Sequence, residues 1–367
     1  MKIGIDARFV GPQGTGLGKY TEKLVSGLAE IDKKNQYVIF LRKNNWNYLK
    51  VGDNFQKTLA DIPWYSAKEQ IFFPKVLNSQ NLDLLHVPHF NVPVFYKKKF
   101  IVTIHDLIHH RFSETSATTK NFAIFKLKRL AYQRVISRAV KKSAKIITPS
   151  NFVKEEVAKN FNIAKDKIVV TYEAAEEEYF NRKPSTINRQ PILIYVGNAY
   201  PHKNLNNLLD AIKLLTTHYS LPTTHLILVC PRDIFWDRLE GEIKSRNLEK
   251  NVELKGYLKA QELKKLFQKA TTYVFPSLSE GFGIPGLNAM ASGLPVIASD
   301  IPTLKEIYED AAIYFNPENA KDMAEKIKKV LSDSTTRSDL VEKGQAQVKK
   351  YSWEKMAKET LKVYESV

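Results

Sequence analysis

The chain has 367 residues, 43% of them hydrophobic and 26% charged, with a formal net charge of +17. That length points to two domains, and that balance to an ordinary globular protein. No apolar run approaches the roughly 20 residues that span a bilayer, and the single cysteine, Cys230, excludes an intramolecular disulfide and a cysteine-built zinc site. A cytosolic setting is the default expectation, because Met1-Lys-Ile-Gly-Ile-Asp6 reads as a strand and not as a signal peptide.

Charge is unevenly spread. Residues 1–185 hold 31 Lys+Arg against 17 Asp+Glu, and residues 186–367 hold 25 against 22. The front half therefore suits an acidic partner, such as an anionic membrane surface, a phosphorylated acceptor or nucleic acid; a solubilising surface is the other reading.

Lys2–Asp6 is the first strand, followed by a Gly loop over Gly11–Tyr20 and a helix from about Thr21 to Glu30. Strand, Gly loop and helix open a doubly wound sheet, although these glycines miss the dinucleotide spacing. Tyr37–Leu41 is the second strand, and residues 42–80 carry no clear pattern. Leu82–His86 and Phe100–Asp106 are strands that end in His86, His89, His105, Asp106, His109 and His110, where ligands of open α/β sheets gather. Their spacing favours no metal site.

Residues 118–145 read as one basic helix with Phe122, Phe125, Leu127, Leu130, Ile136 and Val140 at apolar positions. Such a helix suits an anionic membrane surface, or it packs in the core with a solvated basic face. Lys145–Pro149 is a strand, and Ser150 caps the next helix. A polar stretch at 181–190 marks the domain boundary. Beyond it, strands at 191–196, 225–230, 252–254, 272–275 and 295–299 alternate with helices at 205–215, 260–269 and 285–292. Three helices, 318–332, 335–350 and 352–366, close the chain. The fold class is thus α/β, with two parallel-sheet domains.

The stretch Ser277–Ala291 organises the second half. A buried strand runs into a Gly-rich turn carrying Glu280, and Pro285 stands where proline suits a first helical turn. Unpaired amides and the dipole of a helix start make an anion site, most often for phosphate. Glu280 is placed to accept hydrogen bonds from hydroxyls of the phosphate's carrier. Lys203, beside the helix start at Leu205, supplies a counter-charge. An ordinary strand-to-helix turn is the alternative.

Five motifs stand in a set order: Gly14-Thr-Gly16-Leu-Gly-Lys19-Tyr, Thr103-Ile-His105-Asp106, Thr148-Pro-Ser-Asn-Phe, Tyr195-Val-Gly197…Pro201-His-Lys203-Asn204, and Ser279-Glu280-Gly-Phe282-Gly283-Ile284-Pro-Gly. In this the chain resembles retaining GT-B glycosyltransferases of family 4 (glycosyltransferase group 1) over nearly its whole length. Val87-Pro88-His89-Phe90 and His105-Asp106-Leu-Ile resemble the mannosyltransferase-like branch that builds surface polysaccharides.

The resemblance implies two Rossmann-like domains, 1–185 on the acceptor side and 186–350 on the nucleotide-sugar side, facing a central cleft. It also implies a C-terminal helix, 351–367, that packs back on the N-terminal domain. It makes His105, Glu280 and Lys203 the catalytic set. Gly16, Gly197, Asn198, Phe282, Gly283, Ile284 and Asn288 bind the donor, and Gly14, Lys19, His89 and Asp106 lie on the acceptor side. The family's second glutamate, which holds the ribose, is replaced here by Asn288, and an arginine frequent in relatives by Asn198. The implied reaction is hexosyl transfer, with mannose favoured, from a nucleoside-diphosphate sugar (GDP-mannose over UDP-sugars) to a glycan or lipid-linked acceptor. No cofactor or metal is implied and nucleic acid is not favoured. The protein is expected in the cytoplasm, peripheral on the membrane's inner face. Rival readings are a GT-B epimerase or phosphorylase, and a catalytically weak protein that binds sugar nucleotides or nucleic acid.

Overall fold

The structure, a computed structural model, describes residues 1–11, 15–111, 122–180, 191–219 and 224–367. Gly14 and the polar stretch 181–190 lie outside the described residues. The chain divides into two compact units. The first comprises Met1–Leu107, the described part of Thr118–Glu173, and Ser352–Val367; the second comprises the described parts of Ile108–Ala117 and Ala174–Tyr351.

The first unit is built on strands β1 (Lys2–Asp6), β2 (Gln36–Leu41), β3 (Phe55–Leu59), β4 (Leu84–Val87), β5 (Phe100–Thr103), β6 (Ile146–Thr148) and β7 (Ile168–Val170). Their order in the sheet is β3-β2-β1-β4-β5-β6-β7, and every pairing is parallel. The inner strands are almost wholly apolar because both faces are covered: five of six residues of β2 and all of β4 and β5 are buried. The chain moves outward from β1 to β3 and then returns past β1 to β4. That reversal leaves a crevice beyond the carboxyl ends of β1 and β4, where doubly wound sheets bind ligands.

Helices α1 (Thr15–Ile31), α2 (Ala67–Ser79), α3 (Ile108–Arg111), α4 (Phe122–Lys142) and α5 (Asn151–Phe161) fall between these strands. Helix α1 starts six residues before the expected Thr21, so Gly16, Gly18 and Lys19 are helical and not in a loop. Gly18 permits this: a Cβ there would stand 2.5 Å from the Phe9 carbonyl oxygen. The unassigned residues 42–80 hold β3 and α2. Strand β3 is a half-exposed edge strand with Gln56 and Lys57 in its middle, and α2 carries Pro74 inside it, a residue that breaks most helical patterns. In α4, Ile136 and Val140 are fully buried, as a packed helix requires, whereas Leu130 is exposed. Ser150 accepts from the Val153 amide as the cap of α5.

The second unit carries β8 (Ile192–Val196), α6 (Leu205–Thr217), β9 (His225–Val229), α7 (Ile234–Ser245), β10 (Val252–Lys255), α8 (Ala260–Lys269), β11 (Thr272–Phe275), α9 (Ile284–Ala291), β12 (Val296–Ser299), α10 (Pro302–Tyr308), β13 (Ala312–Phe315), α11 (Ala320–Ser332) and α12 (Ser334–Gln347). The sheet order, β10-β9-β8-β11-β12-β13, is again wholly parallel, with its switch point between β8 and β11. Elements α7, α10 and β13 have no counterpart in the sequence reading.

The division falls after Glu173, upstream of the expected residue 185. Ala174–Phe180 belongs with the second unit, where the Glu176 amide donates to Asn288 Oδ1 at 2.9 Å and Tyr179 packs on Phe267. The last helix, α13 (Trp353–Glu365), is part of the first unit and lies along α1. Gly27 of α1 allows this close approach, since a Cβ there would be 2.7 Å from that of Ala357. Among the described residues no helix is long and apolar enough to cross a membrane.

Candidate active site

In the second unit, the loops leaving β8 and β11 meet. The turn Pro201–Lys203 before α6 is tied to the β11 loop at two points. The Leu278 amide donates to the His202 carbonyl at 2.8 Å, and Asn204, in a left-handed conformation (φ 60°), donates to the Pro276 and Pro317 carbonyls. These ties bring Lys203 Nζ to 2.5 Å from Glu280 Oε1, with the side chains 14% and 11% exposed. Thr303 donates to the Glu280 carbonyl at 2.8 Å and holds the same loop from α10.

Gly283 ends the loop and caps α9 with φ 105°, a region open chiefly to glycine. Any Cβ there would also lie 2.5 Å from the Tyr308 hydroxyl, which donates to the Gly283 carbonyl. Ile284 and Pro285 follow as the first helical residues; Pro285 has no N–H, and the Gly286 and Leu287 amides donate to the Gly283 carbonyl at 3.1 and 3.4 Å, so the amide that α9 brings to the end of the loop is that of Ile284. At the end of β8, Gly197 and Asn198 are fixed by tyrosines: the Tyr195 hydroxyl donates to the Asn198 carbonyl at 2.8 Å and the Tyr273 hydroxyl to Val196 at 3.2 Å. Burial pushes both phenols well up, with Glu280 adding to the effect. The Phe282 side chain is buried edge-on to Tyr351, so its ring is spent on packing. Asn288 is turned toward the Glu176 amide.

In the first unit, His105 follows β5. Its Nδ1 is 3.0 Å from Glu173 Oε1 and its Nε2 is 3.1 Å from the Pro88 carbonyl. Both partners accept, so both ring nitrogens donate, which favours imidazolium. Burial pulls the His105 pKa down, but the bond and charge of Glu173, aided by Pro88, outweigh it and leave the pKa raised. Tyr20 of α1 meets the His105 ring edge-on at 4.6 Å. His86 is spent on structure: its nitrogens meet Tyr364 of α13 and Thr103, and burial drives its pKa down to about 3.

A buried ionic cluster shapes the loops above β1 and β4. Arg8, 1% exposed, bonds both carboxylate oxygens of Asp6 (2.8 and 2.7 Å) and Glu69 at 2.6 Å, and lies 3.7 Å over the Phe73 ring. Glu69 also accepts from Asn91 at 2.6 Å and from the Tyr65 amide at 2.8 Å. Burial sets the Glu69 pKa above the ordinary carboxylate range, despite Arg8. Above this cluster His89 packs against Phe9, Tyr65 and Phe90. Burial raises the phenol of Tyr132, and the charge of Asp106 adds to the effect. Lys19 pairs with Glu22 on α1, and around Gly16 the space is open.

The structure thus joins Lys203 to Glu280 and sets Gly197, Asn198, Gly283 and Ile284 on adjoining strand ends of the same switch point. It sets His105, His89 and Asp106 on strand ends of the other sheet. Glu173, Thr303 and the Asp6–Arg8–Glu69 cluster escaped the sequence reading, because each acts through a partner distant in sequence. The His-Asp group gathers no metal set: among the described residues no three His, Cys, Asp or Glu side chains converge as ligands.

Two doubly wound parallel-sheet units, each with polar side chains at its switch point, have the architecture of the GT-B glycosyltransferases. Sucrose-phosphate synthase from Thermosynechococcus elongatus shares that fold, with a TM-score of 0.78 and 20% identity over 100% of this chain and 98% of that one. Residues 15–178 match the profile of Glycosyltransferase Family 4, and residues 177–347 that of Glycosyl transferases group 1. The chain belongs to this family of glycosyltransferases. It is 27% identical to the O-antigen chain mannosyltransferase RfbU of Salmonella typhimurium over 89% of this chain and 91% of that protein. It is 33% identical to the O-antigen chain mannosyltransferase B of Escherichia coli over 60% of this chain and 61% of that one.

Proposed function

We propose that this protein is a retaining mannosyltransferase of surface-polysaccharide synthesis that uses GDP-mannose. The Lys203–Glu280 pair, at the switch point and ahead of the α9 start, is the observation that carries this reading. A cation beside a helix start suits a diphosphate, while a carboxylate 2.5 Å from that cation suits the hydroxyls of the attached sugar. The mannose assignment rests on the relatives being O-antigen mannosyltransferases.

In the reaction the bond between the sugar's anomeric carbon and the diphosphate breaks, and the electron pair leaves with the phosphate. The ring develops oxocarbenium character. The acceptor hydroxyl adds from the face the phosphate has left, and its proton passes to the leaving phosphate. Lys203 and the positive end of the α9 dipole stabilise the developing diphosphate charge from fixed positions. Glu280 orients the hexose through its hydroxyls. His105, held as a double donor by Glu173, exchanges the Pro88 carbonyl for a saccharide hydroxyl. Asn288 keeps the ribose position with a neutral amide.

The basic face of α4, with Arg129, Arg134, Lys141 and Lys142 exposed, adds reversible contact with the anionic inner face of the membrane from the cytoplasm. Binding to anionic vesicles that falls steeply with salt supports that contact, and salt-independent or absent binding removes it.

A thermal-shift panel of GDP, UDP, GDP-mannose and UDP-sugars tests the donor assignment. A ligand at a hundred times its Kd stabilises by about 2.7 kcal/mol. GDP-mannose is expected to raise the melting temperature most. Stabilisation by UDP-sugars alone overturns the GDP assignment, and a flat response to every nucleotide overturns the enzyme reading.

A further inference from the structure

Tyr65 is an exposed aromatic residue held in a backbone conformation that tyrosine avoids. Its φ is 57°, in the left-handed region, and the residue is 58% exposed. Strain of this kind persists only where the surroundings impose it, and it gathers at functional sites. Here the surroundings are explicit. The Tyr65 amide is fixed by Glu69 Oε2, which also takes the Asn91 amide, while the other Glu69 oxygen is clamped by the buried Arg8. A fully buried ionic cluster therefore ends in one displayed ring. A ring needed only for packing has no use for this arrangement, since most of its surface faces water.

The neighbours of Tyr65 have the chemistry of a carbohydrate platform. Trp64 stacks on Phe9 at 4.5 Å, and Phe9, Tyr65 and Phe90 surround the His89 ring. Phe90 meets Tyr132 edge-on at 5.0 Å. The Tyr65 hydroxyl lies 3.3 Å from His89 Nε2, and the charge of Asp106 is felt at both phenols. Aromatic faces are negative and suit the C–H face of a pyranose ring, while polar groups at the rim suit its hydroxyls. Phe9, Trp64 and His89 all follow strands of the first sheet at the carboxyl end, on either side of its switch point.

We infer that Tyr65 and the rings around His89 form the acceptor platform, on which a pyranose unit of the acceptor saccharide stacks. This deepens the transferase reading and rests on it. Tyr65 sets acceptor affinity, and Asp6, Arg8, Glu69 and Asn91 are positioning residues that act through its backbone.

The probes are the octyl α-glycosides of mannose, glucose, galactose and N-acetylglucosamine, with GDP-mannose as donor. Transfer and acceptor-free donor hydrolysis are measured for wild type, Tyr65→Ala and Tyr65→Phe, and saturation-transfer NMR reports glycoside binding without a donor. With Tyr65→Ala the acceptor KM is expected to rise at least tenfold, and the ratio of transfer to hydrolysis to fall by a similar factor. Tyr65→Phe, which keeps the ring, stays within threefold of wild type. Tyr65→Gly, which releases the strain, melts no lower than wild type yet shows the same acceptor defect. An unchanged acceptor KM in Tyr65→Ala overturns the platform, as does a parallel loss of transfer and hydrolysis. Wild type that hydrolyses the donor but shows neither transfer to these glycosides nor saturation transfer from them overturns the saccharide platform alone. Wild type inert toward every donor overturns the transferase reading, and the platform then stands or falls on Tyr65-dependent saturation transfer.

Discussion

Glu280→Gln separates the two roles assigned to the Lys203–Glu280 pair. In the free protein the ammonium is committed to the carboxylate at 2.5 Å, with both side chains mostly shielded from water. The amide keeps the shape and a hydrogen bond but removes the charge. A charged hydrogen bond contributes about 1.5–3 kcal/mol and a neutral one about 0.5–1.5. Roughly 1 kcal/mol of the Lys203 interaction is thereby freed for a phosphate, or about fivefold in Kd. Glu280→Gln is therefore expected to bind GDP about fivefold more tightly. Its kcat/KM for transfer falls about fivefold for each sugar hydroxyl bonded to Glu280, because each exchanges a charged acceptor for a neutral one. Lys203→Met has the opposite signature, with GDP binding about 10- to 150-fold weaker. Calorimetry with GDP and initial rates with GDP-mannose measure both. If Glu280→Gln weakens GDP as much as Lys203→Met does, or Lys203→Met leaves GDP affinity unchanged, the division of labour between the two residues is wrong.

Arg8→Met leaves Asp6 and Glu69 buried without their cation and is expected to cost about 3–5 kcal/mol at neutral pH. For a domain of this size that lowers the melting temperature by about 6–20 °C. Its deficit shrinks toward acid pH, because protonated Glu69, whose folded pKa is already raised, no longer needs a partner; a pH-independent deficit contradicts the ionic reading. For His105 the folded pKa is raised, so its pairing with Glu173 stabilises fully below the unfolded value of about 6.5 and is lost as pH rises through the folded value. Glu173→Gln should flatten that loss in melts taken across neutral pH, and an unaltered profile would falsify the pairing. Asn288→Glu is expected to tighten GDP by roughly 1–2 kcal/mol through a charged bond to the ribose. No change in GDP affinity returns Asn288 to its visible task of holding the Glu176 amide.

The sequence revealed most where chemistry is local. The loop around Glu280, with Gly283 before it turns and Pro285 at the helix start, was legible because both residues carry backbone preferences of their own. Alternating apolar runs and helices exposed the two parallel sheets for the same reason. Lys203 was legible as a counter-charge, yet its contact with Glu280 depends on Asn204 and Leu278 tying two loops together. Glu173 was silent because its meaning lies in a histidine 68 positions away. Tyr65 was hidden twice over: Pro74 masked the helix that positions it, and its ring neighbours, Phe9, His89 and Phe90, come from two other segments of the chain. Tertiary structure decides such sites, and local pattern does not record them.

The most direct measurement follows the anomeric carbon of GDP-α-mannose by NMR as the protein converts it in the presence of an octyl α-glycoside acceptor. Release of GDP with an α-linked product, slowed in Glu280→Gln, is the expected result. A β-linked product contradicts the retaining course, and no turnover of GDP-mannose or any UDP-sugar contradicts glycosyl transfer by this protein altogether.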